Sequence, residues 1–79
     1  MTRQEVFEAL NGVFREEFDD DSIVVTDCTT ADDIEDWDSL EHINLVVAVE
    51  KRFGIKFTMG EVTGMKNVGE MVDIILDRT

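Results

Sequence analysis

Ser39 stands in the run Asp36-Trp37-Asp38-Ser39-Leu40, three residues before His42, the one histidine of the chain. A hydroxyl, an imidazole and carboxylates are the types needed for a nucleophile, a base and an orienting group. Their spacing argues against that use. Asp38 reads as a helix N-cap and Ser39 as the first helical residue. Side chains on one helical turn do not line up as nucleophile, base and orienter, and no G-x-S-x-G elbow or oxyanion loop is present. No catalytic residue is assigned. His42 falls near the apolar sector of its helix and is expected to be packed or half-buried. A hydroxyl at a helix start stands outside the core instead, and the free N–H groups there favour a phosphate beside it. Asp38 and Glu41 oppose that charge, so an attached phosphate is expected to stay solvated.

Metal chemistry finds no built site. Asp19-Asp20-Asp21 begins like a calcium loop, but Val24 stands where such a loop needs glycine and Thr30 where it needs glutamate. Loose electrostatic association of divalent ions with the acidic region is the most it supports. Cys28 is the single cysteine. It cannot form an intrachain disulfide or a thiolate metal cluster, and reads as an incidental loop thiol.

The elements that must position Ser39 are helices. Thr2 and Glu5 form a capping box, and Val6, Phe7, Leu10, Val13, Phe14 and Phe18 make one apolar face of a first helix ending near Phe18. Asp19-Asp20-Asp21-Ser22 stops it. Residues 19–37 are long for a connection inside a compact domain. They are read as an ordered loop crossing the bundle, pinned by Ile23, Val24 and Val25 and again by Ile34 and Trp37. The second helix starts after Asp38, with Glu41 at its third position, and runs to about Phe53 before Gly54. Ile55-Lys56-Phe57 is an extended link. Thr58 and Glu61 open a short, weak third helix, made marginal by Gly60 and Gly64. Asn67 and Glu70 open the last helix, whose inward residues are Val68, Met71, Val72, Ile75 and Leu76. The expected class is all-α: four helices, a long loop between the first two, and a short third.

The second helix carries two apolar sectors. At about 100° per residue, Leu45, Val46, Val49 and Phe53 fall together and form the core face. Leu40, Ile43 and Val47 fall on another sector, beside charged residues. Exposed aliphatics flanked by charge suit a protein-binding surface.

The 79 residues are expected to form one domain, 1–79. A chain of this length buries only about 60% of its unfolded surface and has little room for an enclosed active site. Nineteen acids oppose seven bases, a net charge of −12, and twelve of the acids lie between Glu16 and Glu41 with no Lys or Arg among them. Such a surface repels nucleic acid and attracts basic protein partners. No apolar run suits a signal segment or a membrane span, so a cytoplasmic monomer is expected.

Asp38-Ser39-Leu40 opening a helix, with Glu50 and Phe53 downstream and a long acidic loop before it, resembles the acyl carrier protein family. The resemblance covers nearly the whole chain in length, acidity, helix order and the D-S-L motif. It implies a non-enzymatic four-helix carrier. In that family a phosphopantetheinyl transferase attaches 4'-phosphopantetheine to the D-S-L serine, here Ser39, with Asp38 and Leu40 beside it. Acyl groups then ride as thioesters on the arm's thiol. By the same resemblance Asp38, Leu40, Glu41 and Val47 meet basic partner enzymes, and the ridge adds Ile43. Val46, Val49, Phe57, Val62 and Met65 match the acyl-chain cleft. The partners implied are the transferase, an acyl-loading ligase or acyltransferase, and downstream synthases or transferases. Glu35-Asp36-Trp37 stands where fatty-acid carriers usually have a nearby glycine, Lys51 and Arg52 where those are acidic, and Phe57-Thr58 where they have an aliphatic–proline pair. W-D-S-L looks more like specialised stand-alone carriers of lipid, polysaccharide-modification or secondary-metabolite pathways. Two alternatives share the features: an aminoacyl or peptidyl carrier with the same attachment site, and an acidic interaction module with no prosthetic group.

Overall fold

The computed structural model describes residues 1–79. Helix α1 spans Arg3–Glu17, α2 Ser39–Phe53, α3 Met59–Gly64 and α4 Val68–Arg78, with a 3-10 turn at Ala31–Asp33 in the loop before α2. Each helix starts where a side chain can take an orphan N–H. Thr2 and Thr58 form reciprocal capping boxes with Glu5 and Glu61. Asp38 and Asn67 cap α2 and α4 by accepting from Glu41 and Glu70 backbone N–H groups. At α2 and α4 the pairing runs one way only, because the acids bond elsewhere. The Glu41 carboxylate accepts from Asn44 at 2.9 Å, and that of Glu70 from the Lys66 backbone N–H at 2.6 Å. Gly54 ends α2 at φ 68°, a left-handed conformation that a residue without Cβ adopts at no steric cost.

The first helix packs against α2 and α4. Val6, Leu10 and Phe14 from α1, Leu45 and Val49 from α2, and Val68, Met71, Val72 and Ile75 from α4 form one core. The long loop closes it with Val25 and Trp37, and the Trp37 ring meets Phe14 edge-on, centroids 5.2 Å apart. Such an edge-to-face pair adds roughly 0.5–1.5 kcal/mol beyond area burial. Leu76, expected to face inward, is only half-buried.

Polar bonds fix the path of the loop, so its length does not make it loose. Asn11 Oδ1 accepts from the Val25 N–H at 2.8 Å, and Arg15 Nε donates to the Ile23 carbonyl at 2.7 Å. Arg3 bridges Asp27 of the loop and Asp73 of α4. The Val68 N–H donates to the Thr29 carbonyl at 2.8 Å, and that of Gly69 to Asp27 at 3.1 Å, so the loop satisfies the start of α4. Of the three residues expected to pin the loop, Val25 is buried and Ile23 half-buried, but Val24 is 66% exposed. Ile23 and Val25 are each held by one of the bonds just given, and Val24 between them faces solvent.

Candidate functional site

Ser39 is the first residue of α2 and is exposed, as are Asp38 and Leu40 on either side. Asp38 has an extended backbone, φ −103° and ψ −174°, and its carboxylate takes the Glu41 N–H at 2.8 Å. The cap is therefore made by Asp38, which leaves the Ser39 hydroxyl free of that duty.

A cleft of about 500 Å³ opens beside Ser39. The loop and the start of α2 contribute Ala31, Trp37, Asp38, His42 and Ile43. Val62 and Thr63 of α3 form another wall, and Met65, Lys66, Asn67 and Met71 line the side leading into α4. Apolar walls with a few polar groups at the rim are the usual make-up of a ligand cleft.

His42 joins three segments at this cleft. Trp37 Nε1 donates to His42 Nδ1 at 3.1 Å, and His42 Nε2 lies 3.0 Å from the Val62 carbonyl oxygen. An acceptor at Nδ1 and a donor at Nε2 describe the neutral ring. Both ring nitrogens are engaged and neither meets Ser39, so the types that suggested a triad are not assembled as one. The half-buried position of His42 agrees with its place on the helical wheel. Its partners had no local signal, because Trp37 and Val62 lie five residues before and twenty residues after it.

The short α3 has a second tether. Arg78 near the chain end donates two bonds to the Glu61 carboxylate, at 2.8 and 2.7 Å. This pairing, with the Thr58 backbone N–H adding to it, lowers the Glu61 pKa to about 2.

The second sector of α2 is exposed as expected, with Leu40 at 73%, Ile43 at 47% and Val47 at 43%. Asp38 and Glu41 lie at its N-terminal end. At the other end Val47, Glu50, Lys51 and Lys56 border a shallow groove. The five residues expected to line an acyl cleft are divided. Val62 and Met65 border the cleft beside Ser39. Val49 is fully buried in the core, Val46 is buried outside the main cluster, and Phe57 packs against that cluster. None of these three lines the cleft. Ala31, Trp37, His42, Thr63, Lys66, Asn67 and Met71 also line the cleft beside Ser39, and the sequence had not placed them there. Only the cap position of Asn67 hinted that the α3–α4 junction would sit near a helix start.

The fold and site together are an all-helical bundle, a free hydroxyl presented at a helix start, and a cleft whose one imidazole is engaged elsewhere. The chain matches the family described as "Phosphopantetheine attachment site" over residues 9–75, and it belongs to that family. It is 43% identical over 44 residues to an acyl carrier protein of Acidothermus cellulolyticus. That alignment covers 56% of this chain and 52% of the relative, so the chain matches about half the length of that curated protein. Its fold is that of the holo acyl carrier protein from Geobacter metallireducens, solved by solution NMR. The TM-score is 0.85 at 49% identity, over 91% of this chain and 83% of that one. The prosthetic group that belongs to the family is 4'-phosphopantetheine, held covalently.

Proposed function

We propose that residues 1–79 form one acyl carrier domain and that Ser39 Oγ bears the 4'-phosphopantetheine through a phosphodiester. The observation that carries this reading is the exposed Ser39 hydroxyl at the start of α2, released from capping by Asp38 and set at the rim of a cleft. The residues fit the group. A phosphodiester added there meets the N-terminal turn of a fifteen-residue helix and open solvent, and displaces no core side chain. When attached, the group supplies a terminal thiol on which an acyl cargo is held as a thioester. The chain's own part is to present the tether, to keep its start rigid through the Asp38 cap, and to offer the cleft beside it. Tethering keeps the cargo at high effective concentration for successive enzymes.

Leu40, Ile43 and Val47, with Asp38 and Glu41 beside them, are the proposed docking surface. Its partners are a phosphopantetheinyl transferase, an acyl-loading ligase or acyltransferase, and downstream synthases or transferases with basic faces. Aliphatic exposure together with local negative charge supports this. The Trp37, Lys51, Arg52 and Phe57-Thr58 departures favour a specialised lipid, polysaccharide-modification or secondary-metabolite role over the common fatty-acid cycle.

The test is co-expression with a phosphopantetheinyl transferase followed by intact mass measurement. Wild type should gain one phosphopantetheine and Ser39→Ala none. Equal addition to both, or none to wild type, overturns the assignment. Loading assays with ligases for fatty and for amino acids then separate acyl from aminoacyl cargo. An interaction module without a prosthetic group would instead keep its biological function in Ser39→Ala and lose it in Val47→Asp.

A further inference from the structure

Seven basic residues serve nineteen acids in this chain, and the positions of the seven can be accounted for one by one. Arg3 is tied to Asp27 and Asp73, and Arg78 to Glu61. Arg15 donates to the Ile23 carbonyl, and Arg52 lies over the Phe53 ring, 5.7 Å from its centroid. Lys51 and Lys56 border the groove toward the C-terminal end of α2. Lys66 remains. It is exposed, its ammonium makes no ion pair, and it is the one base lining the cleft that Ser39 also lines. The neighbours of Ser39 along the chain are the carboxylates of Asp36, Asp38 and Glu41.

We infer that Lys66 pairs with the phosphodiester on Ser39 and holds the base of the arm against the cleft. This rests on the reading of Ser39 as the attachment point. A phosphodiester brings one more negative charge to an already acidic helix start, and Lys66 is the one Lys or Arg among the residues lining the same cleft. The backbone of Lys66 is anchored, since its N–H donates to Glu70 Oε2 at 2.6 Å, while its ammonium is a point charge on a flexible stem. A fixed base with a mobile head suits a partner that must be released when an enzyme takes the arm. Asn67 stands next to it on the cleft. Its Oδ1 accepts the Glu70 N–H at 2.9 Å, which leaves its amide N–H groups available to the same oxygens.

The experiment uses holo-protein whose intact mass shows the arm, at low salt. The Lys66 15Nζ and 13Cε resonances and the 31P resonance of the phosphodiester are compared between apo and holo forms and among variants. Loading should shift the Lys66 resonances and leave those of Lys56 in place. Lys66→Gln should move the 31P resonance toward its free-arm position, lowering the docked-to-free ratio by about 1.5- to 5-fold, the range of an exposed ion pair. Lys66→Arg should retain the docked position, and about 1 M salt should bring wild type to the Lys66→Gln value. Lys66 resonances that do not move although the arm is present overturn the pairing alone. So does a Lys56→Gln change equal to that of Lys66→Gln. A protein that accepts no arm overturns the pairing together with the attachment reading.

Discussion

Trp37 Nε1 donates to His42 Nδ1 at 3.1 Å, and through that bond a loop residue sets the tautomer of a helix residue. With Nδ1 accepting, the ring proton sits on Nε2 and is donated to the Val62 carbonyl. One side chain therefore ties the loop to α2 and α2 to α3, along the wall of the cleft beside Ser39.

Removing that ring should be felt. His42→Ala leaves the indole N–H of the buried Trp37 and a backbone carbonyl unpaired. The expected cost is about 1–3 kcal/mol, read as a lower urea midpoint. Adding Trp37→Phe to His42→Ala should cost less than the sum of the two, because the second change removes a donor already orphaned. In wild type at a pH where the ring is neutral, 15N shifts should show a bare Nδ1 and a protonated Nε2. A protonated Nδ1 would contradict the bond as described.

The acid limb of stability should report Glu61. Arg78, and after it the Thr58 N–H, lower its pKa from 4.5 to about 2 in the folded protein. A group whose folded pKa is depressed stabilises above its unfolded pKa and loses that contribution as pH falls through the folded value. The contribution is therefore complete above about pH 4.5 and fades toward pH 2. Melting temperatures of wild type and Glu61→Gln should differ at neutral pH, with wild type higher, and converge across that window. Parallel curves from pH 7 to 2 would count against the pairing.

Two glycines should respond in opposite directions. At Gly12, inside α1 and exposed, an added methyl group meets nothing within 4 Å. Gly12→Ala should stabilise by roughly 0.5–1 kcal/mol, the usual gain of Ala over Gly in a helix. At Gly69 the same methyl lies 2.8 Å from the Asp27 carbonyl oxygen, which is also the acceptor of the Gly69 N–H. Gly69→Ala must push the loop off the start of α4, at about 1–3 kcal/mol. Denaturant midpoints measure both, and amide exchange at Val68 and Gly69 should quicken in the second variant.

A net charge of −12 on so small a body is self-repelling. Added salt or millimolar magnesium should raise the melting temperature, most steeply below about 0.1 M ionic strength, where screening changes fastest. A melting temperature indifferent to both would show that the acids are spread widely enough not to oppose one another.

The helices and the position of Ser39 were legible in the chain because both depend on local rules. Thr2, Asp38, Thr58 and Asn67 each begin a helix by accepting an N–H three residues on, and that pattern needs no tertiary contact to be read. The two-sided α2 was legible for the same reason, since periodicity alone separates Leu45 and Val49 from Leu40 and Val47. The loop was half legible. Its burial at Val25 and Trp37 followed from their apolar character, but the outward turn of Val24 and the turn at Ala31–Asp33 did not.

The amino-acid order alone thus determined the helical class, the acidic surface and a serine presented at a helix start. Tertiary structure decided what surrounds that serine. Trp37, Val62 and Lys66 come from separate segments and reach the cleft only because the loop folds over α1 and docks on α4. Caps and periodicity act over three or four residues and are written in the chain. A cleft is bounded by side chains whose separation in sequence carries no trace of their nearness in space.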